Sequence, residues 1–479
     1  MNPRSDSPSR AAGLVLALLC TVQFMLVLDN AIANVALPQI QDDLGFSVSA
    51  LQYVVSLYAL TFGGFLILAG RAGDLFGRRR FLLAGVALFT AASLLCGVAQ
   101  SQGVLLAGRA LQGLGGALAA PAALSLITTT FAEGSERNRA LGVFGAVAAA
   151  GASFGLILGG ALTDALSWRW VFYINVPVGL AALALTPRLI RESRDARTDR
   201  SLDVPGAATI TAGLALLVYG VTRGQEDGFG STGTLSLLAG SAALLAAFVA
   251  IERGVRRPLI PFRFFGRRTV TAANVVAITT TAVIAGQSFF STLYLQQVLG
   301  FSPIETGLSF LPLSLAAFAG SAIASQLAAR TGTRPLLAAG LALMGVSTLV
   351  LTGVEPDGSF LGVLPAFIAF GLGLGMSFVS QTITATASVD ADEQGLASGL
   401  LNTSQQLGFA IGIAALVSVA VSASERSTAA GLPARLVEGY AAGYLASGVV
   451  ALVGAAAALL LVPRVRPAAV GAEQIGIVR

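Results

Sequence analysis

Fourteen apolar runs, each long enough to cross a bilayer, constrain this chain more than any other feature. A membrane-spanning helix needs about 20 predominantly apolar residues. Runs at about 12–36, 50–70, 80–99, 104–131, 139–163, 169–187, 204–222, 233–252, 270–296, 304–329, 335–353, 360–386, 396–423 and 439–462 meet that length. Backbone polar groups in hydrocarbon must be satisfied within their own segment, which leaves helices as the economical solution. Composition agrees: soluble chains average about 25% charged residues, whereas here 11% are charged and 55% hydrophobic. The expectation is an all-α polytopic membrane protein with no room for a soluble domain, since the longest connection is about 188–203. The first run is longer than a signal-peptide core and reads as an uncleaved span.

The basic residues set the topology. There is no Lys and no His, so the 29 basic side chains are all Arg, against 24 acids. A basic excess can mark nucleic-acid binding, but these arginines cluster in short connections between apolar runs, which points to orientation in a membrane. With the N-terminus cytoplasmic, the inner set holds Arg4, Arg10, Arg71, Arg78–Arg80, Arg137, Arg139 and the ladder Arg188, Arg191, Arg194, Arg197, Arg200. It continues with Arg253, Arg256, Arg257, Arg263, Arg267, Arg268, Arg330, Arg334, Arg464, Arg466 and Arg479. Only Arg169, Arg223, Arg426 and Arg435 fall outside, and Arg109 lies within a span. One missed helix would scramble that asymmetry, so both termini are expected in the cytoplasm, with the chain in a plasma membrane, specifically a bacterial inner membrane.

Composition also excludes chemistry. Without His there is no imidazole metal site, triad or proton relay, and without Lys there is no P-loop. No cofactor, metal site, catalytic residue, nucleic-acid partner or ATPase subunit is expected. Cys20 and Cys96 lie inside apolar runs and read as small packing residues rather than a disulfide. The acidic stretch Asp390, Asp392, Glu393 reads as a solvated turn rather than a metal site.

Two connections echo each other. Gly70-Arg71-Ala72-Gly73-Asp74-Leu75-Phe76-Gly77-Arg78-Arg79-Arg80 joins spans 2 and 3; Ala329-Arg330-Thr331-Gly332-Thr333-Arg334-Pro335 joins spans 10 and 11. Aligning Gly77 with Gly332 places the echo eight spans apart, so two six-helix halves (1–187 and 269–479) would be separated by two inserted helices with their flanking loops (188–268).

Residues inside the spans carry the candidate mechanism. An ionisable group in a membrane helix is costly and usually faces a cavity or a partner. Asp29 lies about 13 Å below the outer end of span 1, counting back from Pro38 at 1.5 Å per residue, and Arg109 about 9 Å below the same surface. Opposite charges at comparable depth could share a polar cavity and tune each other's charge state during proton exchange, or could form a static ion pair. Gly70, Gly73, Asp74, Gly77, Arg78 and Arg79 read as a gate at the cytoplasmic face, or as a tight basic turn that only anchors topology. Gly151, Gly155 and Gly159 form one glycine face with Gly160 beside it, suiting close helix contact or a seal against leakage. Gly371-Leu372-Gly373-Leu374-Gly375, inside an apolar run, reads as packing or bending rather than a nucleotide loop. Trp168-Arg169-Trp170 reads as an interfacial aromatic anchor. Gln23, Asn34, Gln287, Asn402 and Gln405, with Asn274, Gln381 and Gln406, could line a cavity or be satisfied between helices. Asp29 is the clear intramembrane carboxylate, with Glu305 near the outer mouth.

Together these motifs resemble the fourteen-span drug:proton antiporters of the major facilitator superfamily over essentially the whole chain. Leu28-Asp29 with Asn34-Val35-Ala36-Leu37-Pro38 is similar to that family's first-span signature, and Gly70–Arg80 to the superfamily's loop 2–3 motif. Leu105 through Arg109, Gln112-Gly113 and Gly115-Gly116-Ala117 resemble the fourth-span motif, whose Arg is implicated in proton transfer. Trp168–Gly179, with Asn175 and Pro177, is also family-like. The chain departs where the span-5 antiporter motif carries Gly-Pro: here the pair is Gly155-Leu156, and Leu75 follows Asp74 where Arg is common. The resemblance implies the major facilitator fold, with a site between the halves near the midplane. It also implies proton-driven export of a small hydrophobic, antibiotic-like compound by alternating access. A proton-coupled symporter or uniporter of a small metabolite on the same scaffold is the rival; a membrane-embedded enzyme is disfavoured. Each charge moved across 100 mV is worth about 2.3 kcal/mol, and the scarcity of intramembrane carboxylates points to a neutral or singly charged substrate.

Overall fold

A computed structural model of the chain describes residues 7–131, 135–193, 203–255, 258, 265–387, 389 and 394–463. The turn Asp390, Asp392, Glu393, both termini, and the arginines at 4, 194, 197, 200, 256, 257, 263, 464, 466 and 479 lie outside the described residues. Among the described residues, fourteen long helices follow in the order expected. They are α1 (Ser7–Leu44), α2 (Tyr53–Phe76), α3 (Arg78–Gly97), α4 (Gln102–Thr130), α5 (Ser135–Ala165), α6 (Asn175–Leu189) and α7 (Val204–Glu226). The second seven are α8 (Thr232–Gly254), α9 (Arg268–Leu293), α10 (Leu311–Thr331), α11 (Thr333–Val350), α12 (Phe360–Thr386), α13 (Gln394–Arg426) and α14 (Leu432–Leu461). Among the described residues, thirteen spans are long and apolar enough to cross a membrane. In α5 only Phe154–Ala165 counts as apolar on that basis, but the helix has 31 residues, about 46 Å at 1.5 Å per residue.

Each half is built by backbone-to-backbone crossings that only glycine permits. A Cβ at Gly85 would stand 2.7 Å from the Gly115 carbonyl, and one at Gly115 2.7 Å from the Phe89 nitrogen, so α3 and α4 cross there. Eight helices later α11 and α12 cross in the same way, Gly340 against the Gly373 carbonyl at 2.7 Å. The Gly371–Gly375 run is therefore packing: Gly371 and Gly375 face α10 while Gly373 faces α11. The turns repeat too. Gly77 (φ 125°) separates α2 from α3 and Gly332 (φ 79°) separates α10 from α11, conformations that side chains beyond glycine rarely adopt.

The two halves share one apolar core on the face away from the arginine-rich turns. Leu37, Phe46, Leu51 and Phe172 of the first half pack there with Phe289, Tyr294, Phe310 and Phe367 of the second. Toward the arginine-rich face the cores are separate, one built from α1–α6 and one from α9, α11, α12 and α14. Toward that face the halves meet through a smaller cluster around α7, where Phe65, Ile67 and Leu68 pack with Val270, Ala397 and Leu400.

The inserted pair lies at the edge of this assembly. Helix α7 packs across the seam between α2 and α13, burying Leu214 with Ala59, Leu60 and Ala410. Gln52 Nε2 donates to Thr222 Oγ1 at 3.0 Å within this contact. Helix α8 backs α7, with Ser241 Oγ donating to the Gly213 carbonyl at 2.7 Å.

Candidate functional site

Asp29 and Arg109, placed at similar depth by counting alone, meet. Arg109 Nη1 donates to Asp29 Oδ2 at 2.6 Å, and both side chains have 0% exposure. The same nitrogen donates to Gln112 Oε1 at 2.8 Å, and Arg109 Nε to the Val54 carbonyl at 2.7 Å. Asp29 Oδ1 accepts from Gln112 Nε2 at 2.9 Å and from Asn175 Nδ2 at 2.6 Å. Gln112 Nε2 also donates to Ser93 Oγ at 2.8 Å. Helices α4 and α6 therefore donate directly to the carboxylate on α1, while α2 and α3 join the network through Arg109 and Gln112. The guanidinium lies 4.6 Å over the Tyr58 ring and 5.8 Å from the Phe172 ring centre, a cation–π arrangement that strengthens when water is excluded. Arg109 Nη2 has no hydrogen-bond partner.

The pair offers a charge exchange rather than covalent chemistry. Three donors satisfy the Asp29 carboxylate, and Arg109 cancels its charge, so burial is tolerable; removing either partner would strand a buried charge. A proton arriving at Asp29 would release the guanidinium and free at least one amide donor. Such an event would change bonding on five helices at once.

A cavity of about 510 Å³ opens beside this pair, between the halves, a size suited to a drug-like molecule. All five expected cavity residues, Gln23, Asn34, Gln287, Asn402 and Gln405, line it, together with Asn30 and Gln406. Two other amides do not. Asn274 accepts from Ser404 Oγ at 2.7 Å, and Gln381 is buried away from the cavity without a partner. Tyr58 stands between cavity and ion pair: it lines the cavity, its hydroxyl donates to the Leu26 carbonyl at 3.3 Å, and its face covers Arg109.

The glycine face of α5 lies against α1. Cβ atoms at Gly151, Gly155 and Gly159 would approach the Phe24 carbonyl at 3.3 Å, the Leu28 carbonyl at 2.9 Å and the Ile32 carbonyl at 2.9 Å. Gly160 instead touches the second half, its Cβ position 2.7 Å from Ile304 Cα in the short helix Pro303–Ser309. Gly307 of that short helix meets the backbone of Leu156 in return, its Cβ position 3.2 Å from Ile157 Cα. Leu156, where the family's proline would fall, thus presents its backbone to the other half. On the same face Gln297 Nε2 donates to Gln41 Oε1 at 2.8 Å, and Gln297 Oε1 accepts from the Tyr440 hydroxyl at 3.0 Å. Gln296 Nε2 donates to the Val35 carbonyl at 2.9 Å. Both glutamines sit in a π-helical turn, Tyr294–Val298, that continues α9.

At the opposite face Asp74 Oδ1 accepts from Arg78 Nε at 2.7 Å and from Ser125 Oγ at 3.0 Å. Arg79 N and Ser193 N both donate to Glu192 Oε1 at 3.1 Å, and Arg79 Nη1 donates to the Ile190 carbonyl at 3.2 Å. A Cβ at Gly77 would stand 2.7–2.9 Å from the Glu192 carboxylate. Gly70 packs on Pro121 and Gly73 on Phe81. These partners lie in the first half or, for Ile190, Glu192 and Ser193, at the start of the segment that follows it.

One expectation changes, and two acids take roles that counting did not foresee. Trp168 is not an interfacial anchor: it is 3% exposed, and its Nε1 donates to Asp43 Oδ2 at 3.0 Å, which also takes Arg169 Nη1 at 2.7 Å. Trp170 is the outward ring, 46% exposed. Glu305 acts as a helix cap, receiving Ser302 N at 2.8 Å while Ser302 Oγ accepts Glu305 N at 3.3 Å. Glu192 was missed: it is one of three acids in the arginine ladder, with Asp195 and Asp199, and nothing in the spacing singles it out. Cys20 and Cys96 are buried and free. Among the described residues no group of three or more acids or cysteines could hold a metal.

Comparison with known proteins agrees with the architecture. The family model described as Major Facilitator Superfamily matches residues 19–413. The chain is 41% identical to the puromycin resistance protein pur8 of Streptomyces alboniger, over 92% of this chain and 88% of that one. It is 40% identical to the cephamycin export protein CmcT of Amycolatopsis lactamdurans, over 91% and 89%. Among solved structures, a bacterial homolog of the human lysosomal transporter Spinster superposes with a TM-score of 0.67 at 18% identity, covering 96% of this chain and 98% of that one. With its helices, its repeated turns and this match over most of its length, the chain is a member of the Major Facilitator Superfamily.

Proposed function

We propose that the protein is a proton-driven exporter of lipophilic, antibiotic-like compounds, seated in a bacterial inner membrane with both termini cytoplasmic. The observation that carries this reading is a fully buried Asp29–Arg109 pair beside a drug-sized cavity with no charged residue among its described lining, Tyr58 touching both. Relatives named for puromycin resistance and cephamycin export favour export over nutrient uptake. On this orientation the shared aromatic core closes the outer side, so the cavity would load from inside. Protonation of Asp29 would loosen Arg109 from α1, and the glycine contacts α5 makes with α1 and with Pro303–Ser309 would hold the outer side shut until then. The Gly70–Arg79 segment, tied to Glu192, would rock as part of the first half. The division into two halves, 1–187 and 269–479, with an insert at 188–268 belongs to the same proposal, supported by the eight-helix spacing of the glycine crossings. The small hydrophobic substrate, protons and lipid are the partners this mechanism requires.

The test is lumenal pH in everted, respiring vesicles as hydrophobic compounds are added singly. An exported compound alkalinises the lumen when the wild type is present and not with Asp29→Asn expressed to the same level. Equal alkalinisation by Asp29→Asn would remove the carboxylate from the mechanism.

A further inference from the structure

Tyr58 is where the cavity and the ion pair meet. Gln112 and Asn175 bond to the pair, and Tyr58 and Phe172 lie against the guanidinium. Of these four side chains only Tyr58 lines the cavity; Phe172 belongs to the apolar core shared by the two halves. Tyr58 is 2% exposed, so the cavity meets an edge of it rather than a face. Other neighbours hold the ring. It stacks with Phe62, the centroids 5.9 Å apart and the planes 21° from parallel. Its root sits where α2 and α4 touch: a Cβ at Gly113 would run into the Tyr58 carbonyl, and one at Gly116 would stand 3.4 Å from the Tyr58 hydroxyl. That hydroxyl donates to the Leu26 carbonyl, three residues before Asp29, at 3.3 Å, well beyond the roughly 2.8 Å usual for such a bond. Close-packed interiors pass displacement on rather than absorb it. A ring walled in by Phe62 and α4, and lightly tethered at its hydroxyl, carries a contact at its cavity edge to the guanidinium beside it.

We propose that Tyr58 couples the cavity to the proton site: a molecule filling the cavity displaces water from beside Tyr58, holds its ring over Arg109 and so favours the closed Asp29–Arg109 pair. Where Asp29 carries a proton, its O–H bond then breaks, the proton passes to water, and the bonding electrons stay on the carboxylate that Arg109 recaptures. A cation–π contact strengthens as water leaves, so a filled cavity and a closed pair support each other without substrate touching Asp29. Tyr58 is thus a positioning residue that acts through Arg109. The inference rests on the reading of Asp29 as the proton carrier. Cys96, whose Sγ donates to Gln112 Oε1 at 3.5 Å, is a further titratable group in the network.

The experiment measures proton release from the purified full-length protein in weakly buffered detergent solution with a pH-sensitive dye, over a range of starting pH. Binding of chloramphenicol, hydrocortisone, ethidium and tetraphenylphosphonium is measured in parallel, and the tightest binder is used throughout. The wild type is expected to release protons in proportion to the compound bound, and Asp29→Asn, which leaves Cys96 in place, to release none. Tyr58→Phe and Tyr58→pentafluorophenylalanine both lack the hydroxyl and have nearly the same shape; they differ in the charge on the ring face. The Phe variant should keep most of the release. The fluorinated ring, which repels a cation, should release at least about fivefold less per molecule bound, within what a desolvated cation–π contact is worth. Its binding should match that of the Phe variant, which also shows that it is folded. Equal release per molecule bound from the two variants overturns the proposal, and so does a release that falls only because binding falls. Binding without release by the wild type would instead sink proton exchange at Asp29, and this inference with it.

Discussion

The Asp29–Arg109 pair should behave as a unit, and a double-mutant cycle reads this directly. Asp29→Asn keeps the side-chain shape but removes the charge facing Arg109. It also turns one acceptor into a donor among Arg109, Gln112 and Asn175, all of which already donate. Breaking one side of a buried ion pair costs about 3–5 kcal/mol. Arg109→Leu leaves the carboxylate with two amide donors and no counter-charge, for a cost of similar size, plus the lost bond to the Val54 carbonyl. Combining the two removes both charges, so no ion is left stranded. The double variant should lose at least 2 kcal/mol less than the sum of the singles, within the range of coupling for groups in direct contact. Unfolding midpoints of the purified protein in detergent provide the stability axis. Substrate-dependent lumenal alkalinisation provides the functional axis, and it should be absent in all three variants. Strictly additive stability losses would refute the pairing as the energetic centre of the site. Restored transport in the charge-free double variant would show that the pair is structural only.

Gly77→Ala should cost about 1–3 kcal/mol, because the added methyl meets the Glu192 carboxylate at a positive φ; Gly103→Ala, with open space around it, is the neutral control in the same thermal unfolding series. Gly159→Ala drives a methyl toward the Ile32 carbonyl and should destabilise by about 1–3 kcal/mol through overpacking; a pH gradient imposed on vesicles without substrate should then decay faster than in wild type, and an unchanged decay would remove the sealing role. Gln297→Ala deletes the bridge between Gln41 and Tyr440; in a Cys20→Ala, Cys96→Ala background, Asn34→Cys should label faster from the outer side when Gln297 is also Ala.

The parts of this site that could be read from the sequence were those carrying an energetic penalty. A carboxylate, a guanidinium and several amides inside apolar runs are expensive, so each announced a cavity or a partner, and counting along the helix placed Asp29 and Arg109 at matching depth. The rest depended on rotation about helix axes, which counting does not reveal. Gln112 follows Arg109 by one turn and Asn175 sits at the start of α6, yet only the packed bundle aims both at Asp29. Trp168 looked like an interfacial ring because belt and core aromatics share a composition; Asp43, 125 residues earlier, is what draws it inward. Glu305 was legible as a carboxylate near a helix start, but Ser302 three residues before it, with Pro303 between, is a capping signature and explains it without any ligand. The fold itself was legible from span length and arginine placement, since both follow from the bilayer rather than from side-chain packing.

Helix α7 gives the molecule a front and a back in the plane of the membrane. It covers the seam between α2 and α13 with Ala207, Thr211 and Leu214, set against Ala59, Gly64 and Ala410. The residues that α7 meets there are small, so one helix lies close against both halves. Lipid tails on that flank meet a continuous wall, and α8 thickens it. On the other flank the halves touch through α5 and the short helix Pro303–Ser309, a contact gathered at one end of the bundle. A fourteen-helix transporter of this build therefore has one flank tiled by protein and one left to the bilayer, an anisotropy that a twelve-helix bundle without the insert would lack.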